Sequence, residues 1–220
     1  MESFALERIY RLTDLITRIA YINLLIIGCT LLGFILFGFF PAIIAGFWIF
    51  RKWADGYTDI AITKNFWRIY KQEFIKSNLI GAVIVIIGGL LYINLSIVEV
   101  IQHEWIRLTY YPLLLVSILF IGTLLYFFPM YVHFNMKMGA LIKNAFLCIF
   151  ANPFVTIVLF ILIGLIYLLL TSIPGLIPFF GFSLFLLVMM KGAMVVFDRV
   201  EGKKEGKLGT RVFGLRGIKG

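Results

Sequence analysis

The sequence predicts an all-α, polytopic membrane helix bundle of about five transmembrane helices, and three observations predict it. Of 220 residues, 62% are hydrophobic and 14% are charged, with a mean hydropathy of +1.02. A soluble chain of this size carries about a quarter of its residues as charges, so this one cannot cover a soluble surface. The charges are also segregated. Residues 19–50 and 77–98 contain no Asp, Glu, Lys or Arg, residues 108–136 carry only His133, and residues 144–190 run 47 positions without a formal charge. About 20 apolar residues cross a bilayer as a helix, so the last run holds two spans.

On this basis spans are expected at Ile19–Phe39, Asn78–Val98, Tyr110–Tyr131, Phe154–Leu170 and Ile177–Phe197. Thr171-Ser172-Ile173-Pro174-Gly175 is a turn signal between the last two. Pro178 then falls in the first turn of the fifth helix, where proline is tolerated. Residues 1–200 form the membrane bundle. Residues 201–220, with six glycines and six Lys or Arg residues, read as a flexible basic cytoplasmic tail able to touch anionic lipid. The charged first 18 residues do not resemble a cleavable signal segment.

Lys and Arg in short loops set orientation. Residues 51–76 hold six, residues 135–152 hold Lys137 and Lys143, and the tail from Lys191 holds eight, against Arg107 and the N-terminal Arg8, Arg11 and Arg18 on the other side. Sixteen against four places the C-terminus in the cytoplasm and the N-terminus outside. The uncharged run 19–50, interrupted by Pro41, leaves a second path open: a hairpin that dips in and returns, with the N-terminus inside.

An internal echo bears on that choice. Phe39-Phe40-Pro41 is matched by Phe127-Phe128-Pro129. Each is followed by a Lys-Asn pair (Lys64-Asn65, Lys143-Asn144), by spaced phenylalanines, and by an asparagine (Asn78, Asn152) at the mouth of the next span. The first copy is longer by nine residues between Pro and Lys and by six between Phe and Asn. Such a duplication yields two parallel helix–linker–helix repeats plus a final span, an arrangement used by transporters, and favours the outside N-terminus.

The linkers are amphipathic. Phe66, Ile69, Tyr70, Phe74 and Ile75 share one helical face, with Arg68, Lys71, Gln72 and Lys76 around the other. With Trp48, Trp53 and Trp67 they read as basic helices on the inner leaflet, and more sharply as a partner-docking surface. The residues expected to carry such contacts are Pro41, Arg51, Lys52, Trp53, Phe66, Trp67, Arg68, Lys71, Pro129, Lys143 and Asn144.

Little else suggests chemistry. The expected spans bury no ionisable group of the kind an ion-coupled carrier uses. His133 lies where it can line a cavity. His103 and Glu104 are too isolated for a metal site, and Cys29 and Cys148 have no metal-ligand spacing. Asn78 and Asn152 are expected to cap or tether helix ends. Gly202-Lys203-Lys204-Glu205-Gly206-Lys207 lacks the spacing, the following Ser or Thr and the preceding strand of a phosphate loop. No catalytic residue, cofactor or nucleic-acid partner is expected.

The run Phe39-Phe40-Pro41-Ala42 through Phe50-Arg51-Lys52-Trp53, then Phe66-Trp67-Arg68 and Phe74-Ile75-Lys76-Ser77-Asn78, resembles the YesL-like family. So does Phe127-Phe128-Pro129 followed by Lys143-Asn144-Ala145-Phe146, and the resemblance covers roughly residues 10–200. Many members place glycine before the Pro-Ala corner, where this chain has Phe40. These are small bacterial membrane proteins encoded beside carbohydrate ABC importers and polysaccharide-degrading enzymes. The resemblance therefore implies an accessory or regulatory subunit that contacts importer permease subunits in the bilayer. It carries over no active site. The alternatives are a stand-alone small-solute carrier or channel, or a structural or sensory membrane protein.

Overall fold

A computed structural model describes residues 2–100 and 108–216. His103, Glu104 and Arg107, in the loop expected on the outer side, lie outside the described residues. Among these residues eight α-helices are described: α1 Glu2–Leu32, α2 Phe39–Ala54, α3 Ile62–Val100, α4 Tyr110–His133, α5 Met138–Ala151, α6 Pro153–Ser172, α7 Ile177–Phe180 and α8 Ser183–Arg216. A 3₁₀ turn, Pro174–Leu176, precedes α7. Among the described residues there is no strand. Among the described residues, four helices are long and apolar enough to cross a membrane, and five if the bent α7–α8 pair, broken by 60°, counts as one span. The all-α membrane bundle is thus the fold.

The first expected span is divided. The helix expected over Ile19–Phe39 ends at Leu32, and Phe39-Phe40-Pro41 opens α2. Pro41 sits in the first turn, where its missing N–H leaves no hydrogen bond unmade. The reversal between them is tight: a Cβ on Gly33 would lie 2.3 Å from the Gly38 Cα. Phe34 (φ 52°) and Ile35 (φ 65°) both take left-handed backbone, which a β-branched residue adopts only under constraint. The amides of Gly33, Phe34, Ile35, Leu36 and Phe37 all find carbonyls within the turn. That closure suits an apolar tip whose side chains Phe34, Ile35, Leu36 and Phe37 are exposed, because hydrocarbon offers a backbone amide no partner.

The hairpin places the start of α1 at the same end as the loop after α2. The Arg18 Nη1 donates to the Thr58 carbonyl at 2.7 Å, and the Tyr21 and Thr63 hydroxyls bond at 2.7 Å. Further along, the Tyr70 hydroxyl donates to the Cys29 carbonyl at 3.0 Å and the Asn78 Nδ2 to the Phe37 carbonyl at 2.8 Å. So α1 and the first half of α3 run side by side in one direction, with α2 returning between them.

Burial corrects a second expectation. Nine of the sixteen residues of α2 are buried, so it is a core helix and does not lie on a leaflet. The reason is compositional: from Phe39 to Phe50 it is apolar all round, and such a helix seeks the interior. At about 24 Å it is also shorter than the hydrocarbon core. The span expected from Asn78 is the second half of a 39-residue helix that continues unbroken through Ser77 and Asn78. Asn78 ties this helix to the α1–α2 turn, holding the carbonyls of Phe37 and Phe74 at 2.8 Å each.

Two hydrophobic clusters form the core. The first gathers α1, α2, the start of α3 and the start of α8, around Ile22, Ile26, Phe47, Phe50, Phe66 and Met190. The second gathers α4, α5, α6 and the next turns of α8, around Tyr126, Leu141, Leu159, Val196 and Phe197. They meet where Phe47 stacks on Phe128 at 5.9 Å. Beyond residue 200, α8 continues as helix to Arg216, with no proline to interrupt its hydrogen-bond ladder, where a flexible tail was expected.

One buried amide organises the last span. Asn23 is fully buried in α1, and its Oδ1 accepts from the amides of Phe182 (2.8 Å) and Ser183 (3.0 Å). Its Nδ2 donates to the carbonyls of Ile177 (3.2 Å) and Pro178 (2.7 Å). The Phe182 and Ser183 amides lie at the break between α7 and α8, which would otherwise strand them inside the protein, while the Ile177 carbonyl also accepts from the Gly181 amide at 2.8 Å.

Candidate functional site

The polar chemistry collects at the end where α2 finishes, α3 begins and α4 gives way to α5. The first half of α3 presents cations over aromatic rings. Lys52 Nζ and the Arg68 guanidinium each lie 5.5 Å from the Trp48 ring centre, and Lys52 is also 5.2 Å from Tyr57. Lys71 Nζ lies 4.9 Å from Trp67, which stacks on Tyr70 at 5.5 Å. Cations held this way are drawn to the negative faces of the rings, by about 0.5–1 kcal/mol each at exposed sites.

Beside this array is a cleft of about 360 Å³ lined by Arg51, Glu73, Lys76, Tyr131, His133 and Asn135, with Val132, Phe134, Met136 and Leu141 completing the wall. Arg51 reaches it from α2, and its Nη1 donates to the Val132 carbonyl at 2.6 Å. That carbonyl is in the last turn of α4, where no helical donor follows. Arg51 Nε is buried without a hydrogen bond and has only a long 3.5 Å ion pair to Asp55. The Tyr131 hydroxyl donates to Glu73 Oε2, and Lys76 Nζ lies 4.9 Å over the Tyr131 ring. His133 stacks on Phe197 at 5.2 Å, which fixes the end of α4 against α8.

The structure separates the residues expected to meet a partner. Pro41, Phe66 and Pro129 are buried, so they shape the bundle and are withdrawn from any contact surface. Phe66 was placed on the apolar face of its helix, and on that face Phe66, Ile69 and Tyr70 are buried in the cluster with α2 while Ile75 is exposed. Arg51 joins the cleft. Lys52 and Arg68 meet at Trp48, while Trp67, Arg68 and Lys71 are exposed side by side. Trp53 is half-buried against Phe50, with its Nε1 enclosed and without a hydrogen bond. Lys143 is exposed on α5, and Asn144 donates to the Met136 sulfur at 3.5 Å. Cys29 and Cys148 are free buried thiols in different clusters, and burial pushes the Cys148 thiol up from its ordinary value.

Glu73, Lys76, Tyr131 and Asn23 were not singled out from the sequence. One signal was available for Glu73: it is the sole acid between Ile62 and Val98, set within a run of cations. Asn23 carried a weaker one, an amide in an apolar run, whose partners lie more than 150 residues away.

The profile of a family described as a protein of unknown function, DUF624, matches residues 19–95. Three proteins of Bacillus subtilis (strain 168), each described as uncharacterised, are similar over most of their length. YteU is 36% identical over 197 residues, covering 90% of this chain and 88% of the relative. YesV is 33% identical over 204 residues, covering 92% and 98%. YesL is 29% identical over 191 residues, covering 86% and 90%. No solved structure matches. The matched segment takes in the latter part of α1, the α1–α2 turn, α2 and nearly all of α3, and the relatives extend over both helical units; the chain belongs to the DUF624, or YesL-like, family.

Proposed function

We propose that this protein is an accessory membrane subunit of a carbohydrate ABC importer, acting through protein contacts at its basic end and performing no catalysis itself. The importer part rests on the resemblance of its Phe-Phe-Pro units to the YesL-like family. The contact part rests on one observation: the exposed row of Trp67, Arg68 and Lys71, with Lys52 and Trp48 behind it, on the first half of α3. Tryptophan, tyrosine and arginine dominate the energetic centres of protein interfaces. Inside the spans, the buried polar groups among the described residues are Asn23, Ser77, Thr156 and Ser183, all neutral. An ion-coupled carrier needs ionisable groups there.

We place the basic end in the cytoplasm, as its excess of Lys and Arg argues. Because α1 starts at that end, the N-terminus then lies inside as well, in place of the outside N-terminus expected from the five-span reading. A fluorescent-protein fusion that needs the cytoplasm to mature should glow at either terminus. A dark N-terminal fusion beside a bright C-terminal one would reverse this assignment.

The function is tested by purifying the tagged protein in mild detergent from cells grown on an importer's sugar. Permease subunits should co-purify, and charge reversal at Arg68 and Lys71 together should release them. Their absence under conditions that keep the importer intact sinks the proposal.

A further inference from the structure

The cleft beside α4 is lined by two permanent cations, Arg51 and Lys76, and one carboxylate, Glu73, which already accepts the Tyr131 hydroxyl; a second carboxylate, Asp55, outside the lining, holds only a long 3.5 Å ion pair to Arg51. Lys76 Nζ has the face of Tyr131 for company, and among the described residues no carboxylate lies within ion-pair distance of it. Arg51 spends one nitrogen on Val132, and its enclosed Nε makes no hydrogen bond, only the long ion pair to Asp55. The rim adds a helix start. The 14-residue α5 opens between Met136 and Leu141, both of which line the cleft, and no side chain caps its first amides. A helix N-terminus beside two cations favours a bound oxyanion. The cleft also lies where α4 ends at His133, which is the headgroup level of that span.

We propose that this cleft binds a phosphate group, supplied by a phospholipid headgroup or by a soluble phosphate. Lys76 contacts the phosphate directly, Arg51 supplies its remaining donors, and Glu73 opposes it while orienting Tyr131. The volume fits a headgroup or a small phosphorylated molecule and excludes a folded partner. The inference does not depend on the importer assignment, because binding is read on the isolated full-length chain.

The test uses that chain in neutral detergent, with native mass spectrometry of bound phosphatidylglycerol against phosphatidylcholine, and thermal melting with inorganic phosphate. The wild type should prefer phosphatidylglycerol, or gain stability with phosphate. Response to phosphate alone identifies the soluble source, and response to phosphatidylglycerol alone the lipid. Lys76→Gln should weaken binding roughly tenfold, the effect of losing one charge-assisted hydrogen bond. Glu73→Gln should tighten it several-fold, a gain that misfolding cannot mimic. Lys143→Gln, a cation outside the cleft, should leave it unchanged. The proposal is overturned by the absence of both responses in the wild type. It is equally overturned if Lys143→Gln weakens binding as much as Lys76→Gln, which would mean diffuse attraction, or if Glu73→Gln weakens it.

Discussion

The two Phe-Phe-Pro units share a pattern of residues and differ in where their helices break. In the first, the tripeptide opens α2. In the second, it lies inside the last turns of α4, with Pro129 four residues from the end at His133. The extra nine residues of the first copy are helix, since α2 runs on to Ala54 while α4 stops soon after its proline. The next junction differs as well. α3 passes through Ser77-Asn78 without a break, whereas α5 stops at Ala151 and Pro153 starts α6. Direction survives these changes. Phe47 stacks on Phe128 and Arg51 reaches Val132, so α2 runs with α4. Gly88 faces Phe120 while Lys76 covers Tyr131, and Thr156 bonds Tyr126, so α3 and α6 both run against α4. A duplicated pattern therefore preserves helix direction more strictly than helix length, because a proline only decides where a helix may start or stop.

This corrects the equivalence expected from sequence. The helix that corresponds to α4 is α2, and α1 is an addition that doubles back onto it. Asn23 is the clearest consequence, for the second unit has no counterpart to it. The largest expected effect is therefore Asn23→Leu, which strands the Phe182 and Ser183 amides inside the protein. At about 1–3 kcal/mol for each unsatisfied group, the loss should be about 4 kcal/mol, read by denaturant unfolding in mild detergent. A loss below about 1 kcal/mol would mean that the first unit does not depend on α1 for the bend of the last span.

The seam between the units offers the next comparison. Phe47 is 1% exposed, while its stacking partner Phe128 is half-buried. Phe47→Ala should cost about 3–4 kcal/mol and Phe128→Ala clearly less, since the second site can relax toward its open side. Equal losses would show the two clusters to be one cooperative core. The smallest expected effects come from matched tyrosines. Tyr70→Phe removes the bond to the Cys29 carbonyl, and Tyr126→Phe removes the bond to Thr156. Each acceptor keeps another partner, through the Gly33 amide and the Asn152 carbonyl respectively. Each change should therefore shift stability by about 1 kcal/mol or less. A much larger loss for Tyr70→Phe would mark the α1–α2 turn as the weaker unit.

Much of the bundle was legible in the sequence. The charge-free runs located the spans of α4 and α6, the Lys and Arg clusters located the basic end, and the Thr171–Gly175 signal located the turn before α7. His133, which the sequence placed where it can line a cavity, is in the wall of the cleft. The candidate site was legible only in part, since Arg51 was named as a contact residue and Lys76 only as part of a basic helix face, while Glu73 and Tyr131 were given no role. The cleft draws Arg51, Glu73, Lys76 and Tyr131 from three helices, and helical spacing describes one helix at a time.

By itself, then, the sequence determined an α-helical membrane bundle with its charge gathered at one end, because length and apolarity decide what lipid can solvate. The tertiary structure decided the rest: that residues 33–38 reverse the chain, that α2 is core, that Asn23 closes a distant helix break, and that Arg51 and Lys76 share a cleft. An apolar run reads the same whether lipid or protein covers it. Which of the two does so depends on contacts between residues far apart in the chain, and those form only when the helices pack.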